Sequence, residues 1–207
     1  MCDLCISVYR GEVKPFMSRK LTPIIVLLFT LALSVSGLHA QPIAPRLLPG
    51  DIVINSSYEP DASYWVVKNT NGKDKVKCGG VGHTSTDCAF RLKGSASEKT
   101  KLQQTYTVGT PTTGSQYLFV IAHVRPLAGG QSMKFYAKIK RGALPTLKIT
   151  QNYSAGAASA NYTSVEFQSG MLDVSQITAV KFGVKNLSLS GSTYVDEWFV
   201  GFGVPTR

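Results

Sequence analysis

The chain has 207 residues, 43% apolar and 16% charged, with 22 Lys and Arg against 12 Asp and Glu for a net charge of +10. That length admits one domain plus a leader and excludes a large multidomain enzyme, and the apolar share excludes a disordered tail. Three histidines and four cysteines exclude a metal-rich protein, and the frequent Gly and Pro among Thr, Ser, Val and Tyr favour short strands and turns over helices.

In chain order, the first forty residues read as an address. Arg19 and Lys20 precede an apolar run from Leu21 to Leu38, and Leu38-His39-Ala40 offers a small-residue exit. This is the pattern of a secretory signal cleaved near Ala40. The run is also long enough to span a bilayer, so an uncleaved anchor is the rival reading and the only route to a membrane. Met17 begins a conventional signal, which leaves Cys2 and Cys5 upstream of it and gives them no redox or zinc role. Without residues 1–40, 18 basic and 10 acidic side chains remain, so the positive charge belongs to the folded part. The expected destination is extracellular or the cell surface.

Residues 41–50 read as a Pro-rich linker and residues 51–207 as one domain. Strands are predicted at Asp51–Asn55, Tyr64–Asn69, Lys75–Cys78, Cys88–Lys93, Lys101–Val108, Gln116–Arg125, Met133–Lys140, Leu147–Gln151, Thr163–Gln168, Ile177–Lys185 and Thr193–Gly201. Turn clusters such as Asn71-Gly72-Lys73 and Ala128-Gly129-Gly130 separate them. Tyr117–Ala122 is continuously apolar, as for a central strand covered on both faces. Lys134, Tyr136, Lys138 and Lys140 alternate with Phe135, Ala137 and Ile139, as for a sheet with one wet face. No segment keeps helical periodicity for three turns. The fold class is all-β: a two-sheet β-sandwich of jelly-roll type behind a signal peptide.

Cys78 and Cys88 form an isolated pair that, in an exported protein, reads as a disulfide. Cys78, His83 and Cys88 also match three ligands of a zinc knuckle, but the fourth position is Lys75, and three ligands do not close a structural zinc site.

Three short patterns carry a resemblance. Asn55-Ser56-Ser57-Tyr58-Glu59 followed by Trp65, then Cys88-Ala89-Phe90-Arg91-Leu92-Lys93-Gly94 with Lys101-Leu102-Gln103-Gln104, and finally Tyr194-Val195-Asp196-Glu197 resemble carbohydrate-binding modules of the galactose-binding-like jelly-roll superfamily. The resemblance runs from Asn55 to about Val200. It implies a structural Ca²⁺ held by Glu59 and Asp196 where the first and last strands meet, a use suited to hard oxygen ligands. The other reading of those carboxylates is hydrogen bonding to a turn and a neighbouring strand. It also implies aromatic platforms for sugar rings. Tyr64, Tyr106, Tyr136, Tyr153 and Tyr162 are the expected exposed aromatics, with Tyr136, Tyr64 and Lys138 the ligand-binding candidates, while Trp65 and Trp198 are expected in the core.

Lys134, Lys138 and Lys140 are expected to share a face with Tyr136, joined by Lys148, Lys181 and Lys185. Such a face attracts acidic polysaccharide, an anionic cell envelope or nucleic acid, or else is a solvated sheet face whose lysines prevent edge aggregation. Nucleic acid is not expected in an exported chain without RNP, helix-turn-helix or finger patterns. Neither a G-x-S-x-G elbow, an H-E-x-x-H nor a phosphate loop occurs, and Asp196 and Glu197, adjacent on a strand, are expected to point to opposite faces and so not to pair as glycosidase acids. The expected function is a secreted, non-catalytic carbohydrate-binding module. The alternative is a structural or self-assembling surface subunit using the jelly roll for protein contacts.

Overall fold

The computed structural model describes residues 51–83, 86–109 and 113–204. All lie in one unit, Ile43–Arg207. The signal segment, the Met17 start, Cys2, Cys5 and the Pro-rich linker lie outside the described residues.

Among the described residues eleven strands form: β1 Val66–Lys68, β2 Lys75–Lys77, β3 Ala89–Lys93, β4 Lys101–Thr107, β5 Ser115–Pro126, β6 Gln131–Arg141, β7 Leu144–Ala155, β8 Thr163–Gln168, β9 Leu172–Asp173, β10 Ala179–Asn186 and β11 Ser192–Gly203. One sheet has the order β1-β4-β10-β6-β7 and the other β2-β3-β11-β5-β8, with β9 paired to β5; every pairing is antiparallel. The all-β sandwich expected from alternation and turn spacing is the observed architecture. No helix among the described residues is long and apolar enough to cross a membrane.

The strands form where the sequence alternates, because each sheet buries one face. Along β6, Met133, Phe135, Ala137 and Ile139 are buried while Lys138 and Lys140 are exposed. Along β10, Val180, Phe182 and Val184 enter the same core. β5 is central and buried through Leu118, Phe119 and Val120, as its unbroken apolar run requires. Several boundaries differ from expectation: β7 is longer at both ends than Leu147–Gln151 and β1 shorter than Tyr64–Asn69. Asp51–Asn55 makes only one bridge, Asp51 to Gly201, β9 is new, and β10 starts at Ala179 because Val174–Gln176 closes a 3-10 turn capped by Asp173.

Trp65 and Trp198 are both core, as expected. Their rings lie 5.3 Å apart, and Tyr58, Phe90, Phe135 and Phe182 complete the aromatic cluster between the sheets. The Trp198 indole N–H donates to the Tyr58 hydroxyl at 2.6 Å, which satisfies the buried indole donor. The opening pattern around Tyr58 and Trp65 and the closing strand around Trp198 are therefore packed on each other.

Candidate functional site

The wet face of the β1-β4-β10-β6-β7 sheet is a groove of about 380 Å³ lined by Lys68, Lys101, Gln103, Lys134, Tyr136, Lys138, Lys148, Lys181 and Lys185. A neighbouring hollow of about 440 Å³ shares Lys138 and Lys181 with it and adds Thr105, Lys140 and Thr146. Register explains the clustering. Lys68 pairs with Lys101, Lys101 with Lys185 and Lys185 with Lys134, so one row of lysines crosses four strands. Lys181, Lys138 and Lys148 form a second row.

Between the rows lies a neutral stripe. Gln103, Gly183 and Tyr136 are in register across β4, β10 and β6. The Tyr136 hydroxyl donates to Gln103 Oε1 at 3.0 Å, bridging two strands that are not neighbours. It can do so because the intervening residue is glycine. A Cβ at Gly183 would overlap the Leu102 carbonyl oxygen and the Gln103 Cα. Burial pushes the Tyr136 phenol up to about 12, so it remains neutral.

Tyr136 and Lys138 thus sit together as expected, and so do Lys134, Lys140, Lys148, Lys181 and Lys185. Two details differ. Tyr136 is only 8% exposed, because it forms the floor of the groove and the lysines stand around it, so it is not the exposed platform expected. Tyr64 is 66% exposed, in the turn before β1, and does not line the groove. Lys68, Lys101 and Gln103 were missed, since the short β1 and the polar β4 carry no apolar–polar alternation long enough to show which face these side chains take.

On the other sheet, the Cys78–Cys88 disulfide is formed and closes a loop whose His83 contacts β5 at His123 and β11 at Asp196 and Glu197. Its sulfurs are bonded to each other, so the knuckle reading falls. Asp87 accepts from the Gly79 and Gly80 N–H groups at 3.1 and 2.6 Å. His83 stacks on His123 of β5 at 3.9 Å between centroids, and Tyr162 donates to the Val81 carbonyl at 2.6 Å. Arg125 lies between the rings of Tyr162 and Tyr194, at 5.0 and 4.9 Å.

The loop is held by the two carboxylates that strand alternation assigned to opposite faces. Asp196 Oδ2 accepts from the His83 backbone N–H and the Thr86 hydroxyl, both at 2.7 Å, while Glu197 Oε2 meets His83 Nδ1. Alternation fails because β11 bulges: the register with β5 shifts between Asp196 and Phe199, and Glu197 has φ +40°. Both carboxylates therefore reach one residue.

Asp196 is fully buried, and burial pushes its carboxyl up to about 6 against the bonds from His83 and Thr86. Its Oδ1 is buried and has no hydrogen-bond partner among the described residues. Glu59 Oε1 accepts from the Asp87 N–H at 2.6 Å. His83, His123 and Glu197 also bring potential ligand atoms within 4.8 Å of one another. However, the rings of His83 and His123 lie nearly parallel, 16° apart, so their in-plane lone pairs run side by side and do not converge on one ion. Burial, opposed mainly by the Glu197 carbonyl, lowers the pKa of His123.

No protein-family model and no curated protein matches the chain. Solved structures do. The enzymatically active domain of bacteriophage CBA120 tailspike protein 4 matches at a TM-score of 0.57 and 12% identity over 73% of this chain, which spans 21% of that one. The module TmCBM61, solved with β-1,4-galactotriose, matches at 0.53 and 13% over 73% of this chain and 97% of its own. A xylan-binding domain of CBM family 22 matches at 0.50 and 11%, over 77% and 100%. The sandwich has the fold of carbohydrate-binding modules. This chain shares their two-sheet architecture over nearly the whole length of each module, whereas in the tailspike the same architecture occupies about a fifth of a longer chain. At these identities the shared property is the fold.

Proposed function

We propose that the protein is a secreted, non-catalytic module that binds carbohydrate on the groove of the β1-β4-β10-β6-β7 sheet. The observation that carries the reading is the groove itself, a sheet-wide concavity whose floor is the hydrogen-bonded Tyr136–Gln103 pair. A ligand rich in hydroxyls fits a concave site whose polar groups are fixed in place, and the bonded Tyr136–Gln103 pair with the lysine ammonium groups around it supplies such a set. The fold shared with TmCBM61 and the xylan-binding domain supports it. A non-catalytic role is supported by the engagement of Asp196 and Glu197 in clamping the disulfide loop, with Asp196 sealed from solvent.

Structural calcium at Glu59 and Asp196 belongs to the same reading. The buried, unpartnered Asp196 Oδ1 is an acceptor without a donor, which suits a hard cation. Glu59, on the segment that docks to the disulfide loop through Asp87, would be its second carboxylate.

Affinity electrophoresis of the protein in gels cast with galactan, xylan and polygalacturonate tests the reading. Retardation by at least one of them is expected. Unretarded migration in all three overturns it.

A further inference from the structure

The lysine rows carry an unusual electrostatic arrangement. Side chains directly opposite on antiparallel strands have Cβ atoms about 5 Å apart, and like charges so placed destabilise a sheet. Here Lys101, Lys185 and Lys134 follow one another in register, as do Lys181, Lys138 and Lys148. Among the described residues none of these six is in ion-pair contact with a carboxylate; the one ion pair is His83 with Glu197, on the other sheet. No acidic side chain lines either hollow. Lysines that serve only to keep a sheet edge from aggregating belong on edges, but β4, β10 and β6 are the three inner strands of this sheet. Repulsion concentrated at the centre of a face is relieved when an anion lies there.

We propose that the groove takes an acidic polysaccharide, a glycan chain carrying a carboxylate or sulfate on successive sugars, laid along the Tyr136–Gln103 stripe with a lysine row on either side. This deepens the carbohydrate-binding reading and rests on it. The spacing fits. Lys134 and Lys138 are four residues apart on β6, which places the rows about 13 Å from each other, wide enough for one extended sugar chain between them. Along the stripe, adjacent strands are about 4.8 Å apart, roughly the length of one pyranose residue, so successive sugars over β10 and β6 each have a lysine on either side, Lys185 and Lys181, then Lys134 and Lys138.

A nucleic acid fits this surface less well. Single strands are held by exposed aromatic platforms on which bases stack, and the groove's one aromatic, Tyr136, is floor. Phosphate recognition favours the bidentate guanidinium, and no arginine lines the groove. Compact ammonium groups around a neutral, hydrogen-bonding floor match rings whose hydroxyls alternate with acid groups.

The test uses the full chain in titration calorimetry against polygalacturonate, its fully methyl-esterified form, heparin and a single-stranded DNA oligonucleotide. Polygalacturonate or heparin is expected to bind at least about tenfold more tightly than the neutral ester, weakening about tenfold from low to physiological salt as screening grows. Polygalacturonate carries carboxylates alone and heparin both carboxylates and sulfates, so tighter binding of heparin points to a contribution from sulfate or from its higher charge density. The double variant Lys138→Ala/Lys181→Ala is expected to lose about tenfold in affinity without a fall in Tm, since it removes like-charge neighbours. The salt dependence of the unaltered protein is read independently of that variant. Equal binding of the ester and the acid, insensitive to salt and to the lysine substitutions, overturns the acidic class and leaves carbohydrate binding standing. Tighter binding of the oligonucleotide than of both acidic glycans overturns it in favour of nucleic acid. Binding of none of the four, with galactan and xylan also unbound, removes both readings.

Discussion

Tyr136 and Gln103 sit on strands that do not touch, yet their side chains are hydrogen bonded at 3.0 Å across the bare backbone of Gly183. The floor of the groove depends on that bridge, and the bridge depends on one missing side chain. On β10 and β6 the next residues of the same face on either side are lysines, Lys185 and Lys181, Lys134 and Lys138, so this contact also divides the cationic face into two rows.

Gly183→Ala is expected to be among the most damaging single substitutions on this face. Its Cβ would overlap backbone atoms of β4, which cannot rotate away. A loss of about 1–3 kcal/mol is expected from overpacking of this kind, with a weakened polysaccharide affinity in whatever folds. Chemical denaturation measures the first and affinity electrophoresis the second. A variant with unchanged midpoint and unchanged retardation would contradict this account of the floor.

Tyr58→Phe leaves the buried Trp198 indole N–H without its acceptor. The cost is expected at about 1–3 kcal/mol, the penalty of an unsatisfied buried donor, and the near-ultraviolet circular dichroism of the tryptophans should change. Tyr153→Phe, on a half-buried ring at the opposite margin of the core, serves as the control and is expected to cost less.

Replacing Cys78 and Cys88 by serine opens the loop closed by their ten-residue separation. On the chain-entropy argument this costs about 2–3 kcal/mol. Because the loop presents His83 and Thr86 to Asp196, the substitution is also expected to raise protease sensitivity around Gly79–Asp87. Limited proteolysis followed by mass spectrometry locates the cut.

Asp196 has a pKa of about 6 in the folded chain against 3.8 ordinarily. A carboxyl raised in this way binds its proton more tightly when folded, so its contribution to stability is complete below about pH 4 and is lost as pH rises through 6. In chelator, Asp196→Asn should therefore gain on the parent protein between pH 4 and 7, by on the order of 1–3 kcal/mol, and the gap should be flat above. Melting curves across that range measure it.

Excess calcium is expected to raise the Tm of the parent protein and to do so less for Asp196→Asn or Glu59→Gln, because a cation bound only by the folded state stabilises it by mass action. No shift in the parent protein counts against a structural calcium at these two carboxylates.

Some of this was written in the order of residues. The alternation of Lys134, Tyr136, Lys138 and Lys140 with Phe135, Ala137 and Ile139 determined that β6 has one wet face, because side chains on a strand take opposite sides in turn and water decides which set is buried. Lys181 and Lys185 were expected on that same face, and the lone pair Cys78 and Cys88 determined its own partner. Other features required the assembled sheets. That Lys101 stands beside Lys185, and Lys185 beside Lys134, depends on pairing between segments more than thirty residues apart in sequence, which no local pattern encodes. Asp196 and Glu197 meet at His83 only because β11 bulges against β5, a deformation that interrupts the two-residue period on which sequence reading relies. Period determines the face of a residue; register and its interruptions determine its neighbours, and the groove is made of neighbours.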